Sequence, residues 1–232
     1  MSGLSKGGLG GAGATATPLL ALVIAPGQAA AIMLVVLCLM DIFGIRAYLW
    51  RWDRHVLRVI VPPGIVGCVF GTAAFRYLDD NWIRILIALI VLGFLAYSLL
   101  PRKALVKKPS DGAGRLWGTL SGFASFVTHS GGPPLMVYLL PLRLEKERFI
   151  STCLVYFAVV NYAKIPGYLW LGLLDLRNVA TAVALLPLGV AGIYMGIWLQ
   201  RRMDPAWFYR VVYALIFLTG AMLLYDGIAG LG

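Results

Sequence analysis

Along this chain the apolar residues come in runs near 20 residues long, separated by short polar loops. Neither a period-two strand pattern nor a narrow helical stripe describes them. A helix needs about 20 consecutive apolar residues to cross a bilayer. Six runs meet that length, at about 29–48, 57–76 and 82–100, and again at about 150–171, 178–199 and 207–226. Two further apolar segments, 1–26 and 115–141, are interrupted by Gly, Pro, Ser and Thr. The pattern predicts an all-α integral membrane protein. Each half holds one broken, re-entrant segment followed by three transmembrane helices.

The halves repeat. "PPGIVGCVFGTAAFRYLDDNW" (62–82) and "PLGVAGIYMGIWLQRRMDPAW" (187–207) share Pro, three Gly, Arg, Asp and Trp at a constant offset of 125 residues. At an offset of 120, "DIFGIRAYLW" (41–50) matches "NYAKIPGYLW" (161–170) at Ile, Tyr, Leu and Trp, which aligns Asp41 with Asn161. "ATPLL" (16–20) parallels "GPPLM" (132–136). The organisation expected is a first repeat over 1–100, a basic linker over 101–114 and a second repeat over 115–232, all in one membrane domain.

Charge placement chooses between two topologies. If both broken segments cross, Lys and Arg divide 10 to 8 between the two faces. If both dip and return, loops 46–58, 102–115, 143–148 and 201–210 share one face with 15 Lys/Arg, and loops 76–84, 171–178 and the C-terminus share the other with 3. Cytoplasmic loops carry the excess of positive residues, so the second arrangement is expected: six spans and both termini outside. Three spans per half inserts the second half upside down, giving an inverted repeat of the kind many secondary transporters use.

Composition agrees. Hydrophobic residues make up 60% of the chain and charged ones 13%, against about 45–50% and 25% in soluble domains. The net charge of +10 sits in short loops, which points to lipid head groups and topology rather than nucleic acid. Cys38, Cys68 and Cys153 are singletons without metal or redox spacing. Residues 1–14 are Gly-rich and lack the apolar core of a cleavable signal. Gly64, Gly67 and Gly71, like Gly189, Gly192 and Gly196, form a smooth helix face for close packing. Trp50, Trp82, Trp117, Trp170 and Trp207 lie near span ends, as interfacial anchors do.

The candidate chemistry lies in the breaks. In "THSGGPP" (128–134), Pro133 and Pro134 remove backbone donors, while Gly131 and Gly132 permit unusual angles. Broken backbone at membrane depth must be buried in protein or line a wet cavity. A helix restarting near Pro134 would present free N–H groups and a positive dipole end to an anion. The first half has a counterpart in "SKGGLGGAGATATP" (5–18), which brings Lys6, Thr15 and Thr17. By pseudo-symmetry the two restarts should meet near mid-membrane. Lys164 lies inside a span, two residues before Pro166, where a kink is expected. A mid-membrane lysine costs about 2.5–3.5 kcal/mol on insertion scales and faces the protein interior. Lys6, Lys164, His129 and two helix N-termini would make an electropositive cavity, with Ser130, Asn161 and Asp41 beside it. The plainer alternatives are that His129 is a buried hydrogen-bonding residue, that Lys164 snorkels or pairs with Asp41, and that Lys6 is interfacial. Ser130 beside His129 raises hydrolase chemistry, but no G-x-S-x-G, HExxH or paired carboxylates accompany it.

The motifs "GLSKGGLGGAGATATPLLAL", "HSGGPPLMVYLLP", "VNYAKIPGYLWLGLL" and the paired Gly–Asp–Trp blocks resemble the sulfite exporter TauE/SafE family over nearly the whole chain. The resemblance implies a multi-pass transporter of the bacterial inner membrane, not an enzyme, that exports sulfite or a sulfur-containing organic anion. Carried over by position, it puts Gly131, Gly132, Pro133, Pro134 and Lys164 near the substrate. One departure concerns the N-terminus: family members open with an apolar half-helix, and Met1 stands later than residues 115–128 of the second half would require.

The function expected is therefore secondary transport of a small anion by alternating access, with His129 coupling proton movement and no cofactor. The partners expected are the bilayer, the anion, protons and a second copy of the chain as a homodimer, but no nucleic acid. An importer or channel for a sulfur compound, a subunit of a larger complex and an intramembrane hydrolase using Ser130 are the alternatives.

Overall fold

The computed structural model describes residues 16–47, 51–99, 109–176, 178–184, 187, 191 and 205–231. Within them the chain forms α1 (Ala16–Ala21), α2 (Pro26–Ala47), α3 (Arg54–Tyr77), α4 (Asp80–Leu99), α5 (Asp111–Thr128), α6 (Gly132–Leu139), α7 (Lys146–Trp170) and α8 (Pro205–Ala229). A 3-10 turn, Leu140–Leu142, extends α6. Residues 178–184 are also helical, but most of the expected span 178–199, and with it the second Gly–Asp–Trp block, lies outside the described residues. Five expected spans coincide with α2, α3, α4, α7 and α8 to within a few residues. Among the described residues, Arg54–Tyr77 and Glu147–Trp170 are long and apolar enough to cross a membrane.

Local chemistry sets the helix limits. Asp53 caps α3 by accepting from Val56 N at 3.0 Å, and Ser110 caps α5 by accepting from Ala113 N at 3.3 Å. Each cap satisfies one of the orphan donors of the first turn. α5 ends at His129, whose φ of 55° is left-handed. That conformation is uncommon for a residue with a side chain, though His tolerates it better than most. α7 continues through Pro166 to Trp170; the proline removes one backbone bond without ending the helix.

After His129 the chain reverses. Ser121 Oγ donates to Gly131 O at 2.6 Å, and, further from the turn on both arms of the reversal, a Cβ on Gly114 would lie 2.6 Å from the Tyr138 ring. α6 thus runs back along α5, and the segment 111–142 is a hairpin with its tip at 129–131.

The tightest packing is between α3 and α5. A Cβ on Gly67 would lie 2.1 Å from Thr119 O, and one on Gly122 would lie 2.0 Å from Gly64 O. No side chain fits at either position, so the glycine column of α3 meets a second column on α5. Such a seam gains van der Waals contact that apolar lipid cannot supply by a hydrophobic effect. Beside it, α2, α3, α5, α6 and α7 share one apolar cluster that includes Leu34, Ile60, Phe126, Leu135 and Tyr156. A second cluster joins α1, α2, α4 and α8 through Ala21, Ala29, Ile87 and Leu223.

Helices at equivalent repeat positions pack antiparallel. Along α2 and α7, Gly27 meets Leu173, Cys38 O accepts from Tyr162 Oη at 3.3 Å, and Asp41 accepts from Asn161. Along α4 and α8, Asn81 Nδ2 donates to Gly230 O at 2.7 Å, Gly227 abuts Ile85, and Gly220 abuts Leu92.

The two ends of the bundle differ. At one end Arg51 pairs with Glu147, His55 Nε2 lies 3.2 Å from Asp111 Oδ1, and Asp53 N donates to Thr152 Oγ1 at 2.9 Å. The stretches around 51–55, 111 and 147–152 therefore share that end. At the other, Arg76 lies over the Trp170 ring at 5.9 Å, Asn81 holds Gly230, and Gly27 faces Leu173 and Phe75. Exposed ion pairs of this kind contribute about 0–1 kcal/mol each; they fix loop position more than stability. Trp82 and Trp170 are exposed at helix ends, whereas Trp117 packs against the second-half core.

Candidate functional site

Five polar groups from α2, α7 and the hairpin tip form one connected chain. Asn161 Nδ2 donates to Asp41 Oδ2 at 2.6 Å. Lys164 Nζ donates to Asn161 Oδ1 at 2.9 Å and lies 3.1 Å from His129 Nδ1. His129 Nε2 lies 2.8 Å from Ala30 O. The carbonyl can only accept, so Nε2 carries the imidazole proton and Nδ1 accepts from the ammonium. Lys164 is 0% exposed, Asp41 3% and Asn161 4%; His129 is half-buried.

Each member is positioned by a specific element. Asn161 and Lys164 stand three residues apart and so share one face of α7. Asp41 reaches them from α2. His129 is aimed by the left-handed turn that ends α5, with its own N–H bonded to Ser125 O at 3.1 Å. Its ring faces Tyr168 at 6.5 Å between centroids, and Tyr168 Oη donates to Phe126 O at 2.7 Å. Burial of a lone ammonium is costly unless it is paired and hydrogen-bonded. Here Asn161 relays between Lys164 and the carboxylate of Asp41.

That arrangement changes the expected electrostatics. The positive charge of Lys164 is offset by Asp41 through one amide, so the described site is balanced rather than purely electropositive. The backbone contribution is also smaller than the sequence suggests. α6 begins at Gly132, two residues before Pro134; Pro133 and Pro134 carry no N–H, and Leu135 N donates to Gly131 O at 3.3 Å. Only Gly131 and Gly132 can offer backbone donors at the tip.

The remaining candidates divide. Ser130 is buried beside the tip, with its N–H on Thr128 Oγ1 at 3.2 Å and its hydroxyl donating to Thr128 O at 3.3 Å. Thr17 lies in α1, fully buried, and its Oγ1 has no hydrogen-bond partner among the described residues. Lys6 and Thr15 lie outside the described residues. Two groups not singled out from sequence are Ala30, whose carbonyl sets the His129 tautomer, and Tyr168, whose ring backs the imidazole. A carbonyl leaves no sequence signal, and a tyrosine at a span end reads as an interfacial anchor.

No curated protein and no solved structure matches the chain. The family model described as "Sulfite exporter TauE/SafE" matches residues 1–223. With the buried lysine, the 111–142 hairpin and the glycine-packed bundle all inside that match, the chain belongs to the sulfite exporter TauE/SafE family.

Proposed function

We propose that this protein is a secondary transporter that exports sulfite or a small organosulfonate across the bacterial inner membrane by alternating access. In this reading it has six spans and two inverted halves. Lys164 is the substrate-binding cation and His129 the proton-coupling group. Thr17, Ser130, Gly131 and Gly132 complete the site, Pro133 and Pro134 shape the tip, and Lys6 and Thr15 belong to the first break. The carrying observation is a fully buried ammonium held by Asn161 and by His129 at the tip of the 111–142 hairpin. The ammonium has three hydrogens, of which two take protein acceptors among the described residues; the third is available to an oxyanion. The unpartnered Thr17 hydroxyl supports a ligand as well, since an unsatisfied buried hydroxyl costs about 1–3 kcal/mol.

The inverted topology is supported by the antiparallel packing of α2 on α7 and of α4 on α8, as two-fold related, inverted halves require. Six spans are supported by the ion pairs that place stretches 51–55 and 147–152 at one end; an eight-span chain would separate them.

A structural role for Lys164 is the competing reading, favoured by its link to Asp41 through Asn161. Sulfite flux and counterflow in proteoliposomes separate the two. A carrier shows saturable flux and counterflow that Lys164→Met abolishes while the protein stays monodisperse. Full flux in that variant would return Lys164 to the scaffold.

A further inference from the structure

At the end of the bundle opposite the ion-paired loops, Phe75, Arg76, Trp170 and Leu171 line a cavity of about 350 Å³. That volume lies at the lower end of the range for small-molecule sites, about 300–1,000 Å³. The Arg76 guanidinium lies over the Trp170 ring at 5.9 Å, and among the described residues it has no hydrogen bond or ion pair. Its neighbour in sequence, Asp79, instead accepts from Asn81 N and Trp82 N through Oδ1 at the start of α4. An arginine in a helix's last turn commonly answers the helix dipole. This one also carries five N–H donors beside a half-open cavity whose exposed lining is mostly polar.

The cavity leads toward the buried relay. Trp170 follows Lys164 by six residues on α7, about 9 Å along the axis. Phe75 packs edge-on against Phe126 at 5.8 Å, Phe126 tilts against Tyr168 at 4.6 Å, and Tyr168 faces His129 at 6.5 Å. These three rings are all that separates the cavity wall from the imidazole. The seam they fill is tight: a Cβ on Gly167 would lie 2.4 Å from Thr72 Oγ1 and 3.1 Å from the Phe126 ring.

We propose that the Arg76–Trp170 cavity is a second anion subsite, a vestibule for a small oxyanion, closed off from the buried relay by Phe75, Phe126 and Tyr168. The proposal rests on the transporter reading and adds a binding group outside the relay. The guanidinium, held over the Trp170 ring, takes the oxyanion. A lipid phosphate shares the same chemistry. The soluble anion is favoured because the cavity adjoins the ring stack over His129 rather than a bare outer helix face.

The test uses the full chain in phosphatidylcholine nanodiscs, with ethanesulfonate as probe and calorimetry as readout. Lys164→Met removes the deep cation and should leave a weaker residual phase. Adding Arg76→Gln should weaken that phase at least about tenfold, the scale of one charge-assisted hydrogen bond, and adding Trp170→Leu, which removes the ring under the guanidinium, should weaken it as well. Arg76→Lys should retain most of it, and melting temperatures should be unchanged, since both side chains are exposed. Residual binding indifferent to Arg76 and Trp170 would overturn the proposal. So would ethanesulfonate binding that vanishes when phosphatidylglycerol occupies the site in an Arg76-dependent way. Sulfite flux that needs Lys164, with no Arg76-dependent binding, keeps the transporter and removes the vestibule. Arg76-dependent binding in a protein that moves no anion does the reverse.

Discussion

Asn161 Nδ2 donates to Asp41 Oδ2 at 2.6 Å, and the 120-residue offset makes these two the same position in the two halves. In the proposed inverted repeat, such a contact marks where the two-fold axis would pass between the halves. The next turn breaks the equivalence. Lys164 aligns with Gly44, so a symmetric crossing of α2 and α7 carries a single cation.

The first prediction concerns that crossing. Asp41→Leu leaves the Lys164 charge buried without its counterion and should cost about 3–5 kcal/mol. The double variant Asp41→Leu, Lys164→Met should be more stable than Asp41→Leu alone. Thermal unfolding in detergent measures both. Strictly additive losses would mean that the two charges do not interact.

The tautomer of His129 gives a pH prediction. Neutral His129 accepts from Lys164 at Nδ1; protonated, it presents N–H groups at both nitrogens and must release the ammonium. Acidification therefore adds a positive charge and frees another, and anion affinity should rise as pH falls. Ethanesulfonate keeps a fixed charge across this range, so its binding reports on the protein. His129→Gln should flatten the profile. A profile unchanged in that variant would remove His129 from coupling.

Glycine substitutions should separate packing from propensity. Gly122→Ala drives a methyl group into Gly64 O at 2.0 Å and should cost about 1–3 kcal/mol or more as overpacking. Gly93 lies within α4 with nothing within 4 Å of its Cβ position. Gly93→Ala should be neutral or stabilising by up to about 1 kcal/mol. Equal melting temperatures for the two variants would contradict the α3–α5 seam.

Topology is testable by labelling from one side. On a background lacking Cys38, Cys68 and Cys153, single cysteines at Asp111 and Glu147 should react with an impermeant reagent from the same face. A cysteine at Asn81 should react from the other. Labelling of positions 111 and 147 from opposite faces would exclude the returning hairpin.

Much of the scaffold was legible because lipid imposes length. Runs near 20 residues gave α2, α3, α4, α7 and α8, and the Lys/Arg imbalance grouped loops 46–58, 102–115 and 143–148, which Arg51–Glu147 and His55–Asp111 join at one end. Loop 201–210 of the same group lies partly outside the described residues. The hairpin was legible from "HSGGPP", where two glycines followed by two prolines disfavour an unbroken helix. Local spacing does not encode how deep the tip reaches, or that Asn161 would bridge Lys164 to Asp41 across 120 residues. At Pro166, where a kink was expected, α7 runs on to Trp170 without ending. The anion-binding helix entrance was overstated because the prolines that mark it also remove its donors.

That removal has a consequence for selectivity. With Pro133 and Pro134 at the start of α6, the proposed site at the tip would rely on the Lys164 ammonium more than on a cradle of amides. An ammonium is a compact point charge without the fixed fork of a guanidinium, so it reads how much charge a solute carries better than how its oxygens are arranged. A carrier built this way would discriminate loosely among anions of similar size.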